Sequence, residues 1–288
     1  MTSGAGVRLL QQLLPKDLIS AATYRIARSE SAWLTRPLIR WFAGAYRVDL
    51  TDAEQPELER YPTFNAFFTR ALRAGARPLA AGDDTVVSPC DGTVTEFGAL
   101  DGETLLQAKG RSYSLAELLG ERGGAVEALH GGGYCTIYLA PRDYHRVHAP
   151  LAAALTRTRY VPGRRFSVSR ATAAAIDHIF CRNERAVCWF DTSVGPMVVV
   201  LVGALNVSSI STFSRGEIAS GAPRLWEERT PLRVERGAEI GRFNLGSTVV
   251  MLFARGAIRW DTRLASGMRV AMGAALGRAA SEARAAAR

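Results

Sequence analysis

The chain has 288 residues, 48% of them hydrophobic and 22% charged, which supplies enough apolar material for a substantial core and excludes a disordered protein. Lys+Arg outnumber Asp+Glu by 36 to 27, a formal net charge of +9, and that excess favours a polyanion or an anionic membrane surface as partner. No stretch reaches the ~18 consecutive apolar residues of a spanning helix, and the first residues, Met1-Thr-Ser-Gly-Ala-Gly-Val-Arg8, carry no secretory-signal pattern.

Residues 7–46 have the pattern of helices. Val7, Leu10, Leu13 and Leu14 fall at helical spacing, and Leu34, Leu38 and Phe42 repeat it beside Trp33, Trp41 and Tyr46. Pro37 fits a helix start. Arg25, Arg28, Arg36, Arg40 and Arg47 punctuate these faces. That pattern suits either a core-facing helix with exposed arginines or a helix lying in the lipid interface. Residues 51–80 form a bridge, in which Thr63 to Arg70 reads as a short amphipathic helix with an aromatic face.

After Asp84 short β-rich runs alternate with turn signals: Thr85 to Val87, Gly92 to Val94, Cys135 to Leu139, Ala186 to Phe190, Met197 to Val202 and Thr248 to Phe253. Ser114 to Leu119 and Ala171 to Phe180 read as helical interruptions, and the tail from about Ala271 as a helix or a frayed end. Strands following one another without regular helices predict a mainly antiparallel sheet. The expected fold class is therefore α+β, with a helical region over 1–80 and a β-rich domain over 81–288. Cys90, Cys135, Cys181 and Cys188 form no C-x-x-C pair and read as buried free thiols with no metal role.

Three segments compete for the chemistry. Gly241-Arg-Phe-Asn-Leu-Gly246-Ser247-Thr248 approaches a phosphate-binding loop but lacks its lysine and its strand-then-helix context. His130-Gly131-Gly132-Gly133 resembles a lipase oxyanion loop, yet the chain has no G-x-S-x-G; a glycine-rich turn before a strand is the better reading. His145-Arg146-Val147-His148 holds two of the four histidines. It lacks the glutamate of H-E-x-x-H, so no metal is expected, and its place in a Pro-bounded segment after a strand favours catalysis.

Three segments together resemble the phosphatidylserine decarboxylase proenzymes. Leu245-Gly246-Ser247-Thr248 is similar to that family's cleavage motif, Asp143-Tyr-His-Arg-Val-His148 to its histidine motif, and Ser88-Pro-Cys-Asp91-Gly92 to its aspartate motif, with Cys90 where alanine is more usual. Phe67-Phe-Thr-Arg70, Tyr160-Val-Pro-Gly163, Arg182-Asn-Glu-Arg185 and Val202-Gly-Ala-Leu-Asn206 extend the resemblance over about residues 60–277.

The resemblance implies that Asp91, His148 and Ser247 form a self-processing triad and that His145 serves decarboxylation as a proton donor. It implies cleavage between Gly246 and Ser247 into a β chain, 1–246, and an α chain, 247–288, with Ser247 becoming a covalent pyruvoyl group. That group would decarboxylate phosphatidylserine to phosphatidylethanolamine through a Schiff base. The expected partners are phosphatidylserine and an anionic membrane surface, not nucleic acid. The α and β chains would form a heterodimer, itself able to pair, peripheral on the cytoplasmic face of the cell membrane. The alternative is a soluble pyruvoyl-dependent decarboxylase of a free amino acid.

Overall fold

The computed structural model describes residues 16–108, 111–168, 170–173, 175–204, 209–219, 224–229, 231–244 and 247–280. The helical expectation for Val7 to Leu14 lies outside them. Helix α1 spans Lys16–Ala27 and α2 spans Ala32–Tyr46. Helix α2 buries Thr35, Ile39, Phe42 and Ala43. Trp33 and Trp41, on the opposite face, are 80% and 62% exposed. Pro37 lies inside α2, not at its start. It is exposed, so the Trp33 carbonyl that loses its helical partner there faces water, and the helix tolerates the break. Helix α2 ends at Arg47, whose backbone is left-handed at φ 53°.

Helix α3, Phe64–Phe68, starts at Thr63, whose Oγ1 accepts the Ala66 N–H at 3.0 Å. Its aromatic face packs on α2: the Phe42 ring lies 5.0 Å from Phe64, 6.2 Å from Phe67 and 6.0 Å from Phe68. These residues, with Ala27, Ile39 and Tyr61, make a small core separate from the main one.

The remaining elements are mostly strands. In chain order they are β1 Thr85–Val87, β2 Gly92–Ala99, β3 Thr104–Ala108, β4 Arg111–Ser114, helices α4 Leu115–Leu119 and α5 Gly124–Glu127, β5 Gly133–Leu139, β6 Arg146–His148 and β7 Ala153–Val161. Helices α6 Arg170–Ala173 and α7 Ile179–Arg182 follow, then β8 Arg185–Thr192, β9 Gly195–Val202, β10 Ser209–Thr212, β11 Gly216–Ala219, β12 Trp226–Glu228 and β13 Leu232–Val234. The chain continues with β14 Glu239–Phe243, β15 Ser247–Phe253, β16 Ile258–Trp260, β17 Arg269–Val270 and β18 Ala275–Ala279.

The largest sheet runs β12-β7-β8-β9-β15-β5-β2-β17, with β13 also on β7, and a smaller one runs β11-β10-β14-β6. Their ladders are antiparallel, and the molecule is α+β as expected. Strand β15 is buried throughout, which accounts for its unbroken apolar run, Val249 to Phe253.

Two further expectations change. The single helix over Ala171 to Phe180 is reduced to α6 and α7, with His178 between them left-handed at φ 54°. The Ala/Arg tail is a strand over Ala275–Ala279, paired with β1 and β16; residues 281–288 lie outside the described part. The turn at His130 to Gly133 is structural: a Cβ on Gly132 would collide with the Phe253 carbonyl oxygen. Cys90, Cys135 and Cys188 are buried free thiols and Cys181 is partly buried. Burial pushes Cys135 and Cys188 up to about 12, which keeps them protonated and inert.

Candidate active site

The chain changes sheets between β14 and β15. Strand β14 pairs with β6 and β10, whereas β15 opens with Ser247 opposite Leu139 of β5. Asn244 secures the upstream end of this crossing. Its Nδ2 donates to Ser209 Oγ at 2.6 Å and to Ser211 Oγ at 3.1 Å. Its backbone N–H donates to the Ser209 carbonyl at 3.0 Å. Gly246 lies outside the described residues. Ser247 is 1% exposed, and its Oγ has no hydrogen-bond partner. Two antiparallel strands flank the crossing, so the near-match to a phosphate loop has no helix on which to form.

His145 immediately precedes β6, whose last residue is His148. The His145 carbonyl accepts the Phe243 N–H at 3.0 Å, which ties the histidine segment to the last residue of β14. His145 is fully buried; its Nδ1 donates to the Asp143 carbonyl at 2.8 Å. That bond leaves Nε2 as the lone-pair nitrogen, and Nε2 has no partner. Phe68 packs on the ring, centroid to centroid 4.0 Å. Burial, and then the Arg70 charge, pull the His145 pKa down to about 3. The ring is therefore neutral at pH 7, with its lone pair on Nε2.

His148 has the same tautomer. Its Nδ1 donates to the Gly237 carbonyl at 2.8 Å and its Nε2 accepts from Tyr144 Oη at 3.0 Å. Burial lowers its pKa as well, opposed by the Gly237 hydrogen bond and by the charges of Glu239 and Asp91. Burial raises the Tyr144 pKa, so the phenol stays a donor.

Asp91 stands in the turn between β1 and β2, which the His148 N–H reaches through the Pro89 carbonyl at 2.7 Å. Its carboxylate receives Arg77 Nε at 3.0 Å, Arg77 Nη2 at 2.8 Å and the Met272 N–H at 2.7 Å. No hydrogen bond joins Asp91 to the His148 ring, whose nitrogens meet Tyr144 and Gly237. A bidentate guanidinium and a backbone amide already occupy both carboxylate oxygens, and the Gly237 carbonyl, not Asp91, sets the His148 tautomer. No hydrogen bond joins Ser247 to either histidine.

Sequence reading missed Tyr144, Arg77, Phe68 and Asn244 as positioning residues. Tyr144 and Phe68 did carry a signal, since both sit inside quoted motifs. Parts of the other motifs serve as structural supports. Asn183 Nδ2 donates to the Phe166 and Gly203 carbonyls, both at 2.8 Å, and Arg185 donates to the carbonyls of Glu117, Leu118, Cys181 and Asn183.

The buried histidines have a consequence for stability. The unfolded chain binds a proton on each near pH 6.5, whereas folded His145 resists it down to about 3. Between those values the unfolded state holds more protons, so unfolding free energy falls as pH drops, by about 1.4 kcal/mol per unit for each excluded proton. Denaturant midpoints measured at pH 7 and pH 5 should fall at the lower pH, and His145→Phe should flatten that dependence.

Comparison with known proteins identifies the family. The model of the phosphatidylserine decarboxylase family matches residues 64–278, and a second one, described as PSD, matches residues 8–47. A phosphatidylserine decarboxylase proenzyme of Methylococcus capsulatus is 47% identical over 272 residues, covering 93% of this chain and 94% of its own length. One from Ectopseudomonas mendocina is 46% identical over 277 residues, covering 94% and 97%, and one from Pseudomonas fluorescens is 46% identical over 273 residues, covering 93% and 95%. With identity at this level along nearly its whole length, the chain belongs to the phosphatidylserine decarboxylase family.

Proposed function

We propose that the chain cleaves itself before Ser247 and then decarboxylates phosphatidylserine to phosphatidylethanolamine. The observation that carries this is the Ser247 hydroxyl, buried and unpartnered at the crossing between two sheets, directly after the Leu-Gly of the cleavage motif. A buried hydroxyl without a partner is costly, and it suits a group whose partner is the adjacent peptide carbonyl. His148, neutral with its lone pair on Nε2, takes the Ser247 proton once the Tyr144 hydroxyl turns away from that nitrogen, as Oγ attacks the Gly246 carbonyl. The C–N bond of that peptide breaks as its nitrogen is protonated, which leaves an ester. Asp91 stabilises the imidazolium through its charge, without direct contact. Elimination from the ester frees the Gly246 carboxylate and leaves a dehydroalanine. Water then converts it to an N-terminal pyruvoyl group with release of ammonia.

Ser247 fits such a group, since no hydrogen bond of the fold depends on its hydroxyl. The pyruvoyl carbonyl supplies the electrophile and electron sink that amino-acid decarboxylation requires. His145, enclosed by Phe68 and anchored by the Asp143 carbonyl, holds or returns the proton at its Nε2.

Residues 1–80 act as the membrane-associating part and 81–288 as the catalytic part. Exposed Trp33, Trp41 and Tyr46 on α2, flanked by Arg36, Arg40 and Arg47, suit the interface of an anionic bilayer on its cytoplasmic face. No described helix is long and apolar enough to cross a membrane. The processed α and β chains stay together as a heterodimer, since β15 of one lies between β9 and β5 of the other.

The test measures CO2 release from phosphatidylserine in mixed micelles and from free L-serine, together with flotation on phosphatidylserine vesicles. Release from the lipid alone is expected, with flotation weakened several-fold by Trp33→Ala/Trp41→Ala at unchanged Tm. Equal turnover of free serine would establish the soluble amino-acid decarboxylase instead.

A further inference from the structure

Arg70 is 5% exposed, yet it has no carboxylate partner. Only its Nη2 is engaged, donating to the carbonyls of Arg142 at 3.1 Å and Asp143 at 3.4 Å, while Nε and Nη1 have no acceptor. Burial lowers its pKa, but a guanidinium stays charged. A buried, charged group with two idle donors is among the costliest features a fold can keep.

Arg70 is one of the residues lining a cavity of ≈ 210 Å³, with Arg47, Arg77, Arg142, Arg269 and Asp91 among the others. The lining cations differ in kind. Arg77 is held by Asp91 and Asp52, and Arg269 by Asp143. Arg47 and Arg142 form no ion pair and are exposed. Of the acidic lining residues only Asp49 has no cation within ion-pair distance, and its carboxylate is taken by the N–H and hydroxyl of Thr51. The five lining arginines outnumber the four lining carboxylates, and Arg47, Arg70 and Arg142 are the ones with no carboxylate in ion-pair contact.

We propose that Arg70, assisted by Arg47 and Arg142, binds the phosphodiester of the lipid head group; this rests on the decarboxylase reading above. Two oxyanions of that substrate could answer a guanidinium, the phosphodiester and the serine carboxylate. The chemistry chooses between them. The carboxylate leaves as neutral CO2, so a cation clamped on it stabilises the ground state over the transition state and slows the reaction. The phosphodiester keeps its charge throughout, and holding it contributes positioning.

The distances also agree. In the substrate, three bonds separate the phosphorus from the reacting carbon, so the phosphate site must adjoin the reaction centre. Arg70 does so: its charge acts on His145, and its Nη2 shares the Asp143 carbonyl with His145 Nδ1. A second groove of ≈ 410 Å³, lined by Tyr46, Pro141, Arg47 and Arg142, shares those two arginines with the cavity. It opens at the end of α2, where a lipid head group arriving from the bilayer would enter. An oxyanion on Arg70 also offsets the positive charge that helps keep His145 deprotonated, easing its protonation when substrate is present.

Calorimetric titration of the processed protein with glycerophosphoethanolamine, inorganic phosphate and L-serine tests the assignment. Glycerophosphoethanolamine should bind, about tenfold or more weakly in Arg70→Gln and several-fold more weakly in Arg142→Ala. In micelles Arg70→Gln should raise KM for phosphatidylserine more than it lowers kcat. Should Arg70→Gln fail to fold, Arg47→Ala and Arg142→Ala carry the test, since those guanidiniums hold no ion pair in the fold. Binding of the phosphodiester that ignores all three substitutions overturns the proposal. So does Arg70-dependent binding of inorganic phosphate or L-serine alone. The titration needs no pyruvoyl group, so the two readings can fail separately. Arg70-dependent binding by an inert chain would remove only the decarboxylase reading, and an active decarboxylase indifferent to these arginines would remove only this one.

Discussion

Ser247→Ala should leave a single chain near 31.1 kDa that releases no CO2 from phosphatidylserine above background, a loss of about 10⁴-fold or more. The substitution is clean because Ser247 Oγ makes no hydrogen bond and the residue is 1% exposed. Alanine therefore removes a nucleophile without orphaning a partner, and Tm should stay within a few degrees of the precursor's. A Ser247→Ala protein that still appears as two chains would place the cleavage elsewhere. One that stays whole yet remains active would separate activity from processing altogether.

His145→Ala should separate the two reactions in the opposite sense. Cleavage is assigned to His148, so the variant should still yield two chains, while decarboxylation falls by about 10²- to 10⁴-fold. The void under Phe68, whose ring lies 4.0 Å from the imidazole, complicates the alanine variant. His145→Gln keeps most of the volume and should show the same separation. Gel analysis of processing, alongside CO2 release, reads both effects. An uncleaved His145→Gln protein that folds would assign the serine's base to His145, whose Nε2 is the unpartnered lone pair. Normal turnover would remove His145 from the decarboxylation.

Much of the fold was legible because the large sheet writes its burial into composition. Strands β9 and β15 are apolar on both faces, and their unbroken Val/Leu/Met runs mark central strands. Helix α2 was legible from its helical spacing, since one face meets Phe64, Phe67 and Phe68 while the other carries Trp33 and Trp41. The failures have local causes. Pro37 was read by propensity, but an exposed helix face lets water satisfy the carbonyl it strands. The Ala-rich tail was read by propensity too, and tertiary pairing with β1 and β16 overrode it.

The site was legible as a set of residues but not as a network. Motif order brought forward Asp91, His145, His148 and Ser247, yet nothing in the chain announces that Arg77 claims Asp91. That contact spans a bridge between the helical region and the sheet. Nor does the sequence say that a backbone carbonyl, Gly237, sets the tautomer of His148. Carbonyl partners leave no trace in residue identity, so side-chain motifs overstate how directly catalytic groups touch one another. Arg70 shows the reverse case. It sits in a quoted motif with an aromatic neighbour, and only its burial without a carboxylate marks it as a binding group.

The most direct measurement is the intact mass of the purified protein under denaturing conditions, before and after borohydride reduction. The expected result is two species. The smaller corresponds to residues 247–288 with a blocked N-terminus, and it gains two hydrogens on reduction because the terminal group is a ketone. One unmodified species near 31.1 kDa from protein that decarboxylates phosphatidylserine would contradict the conversion of Ser247 to a pyruvoyl group.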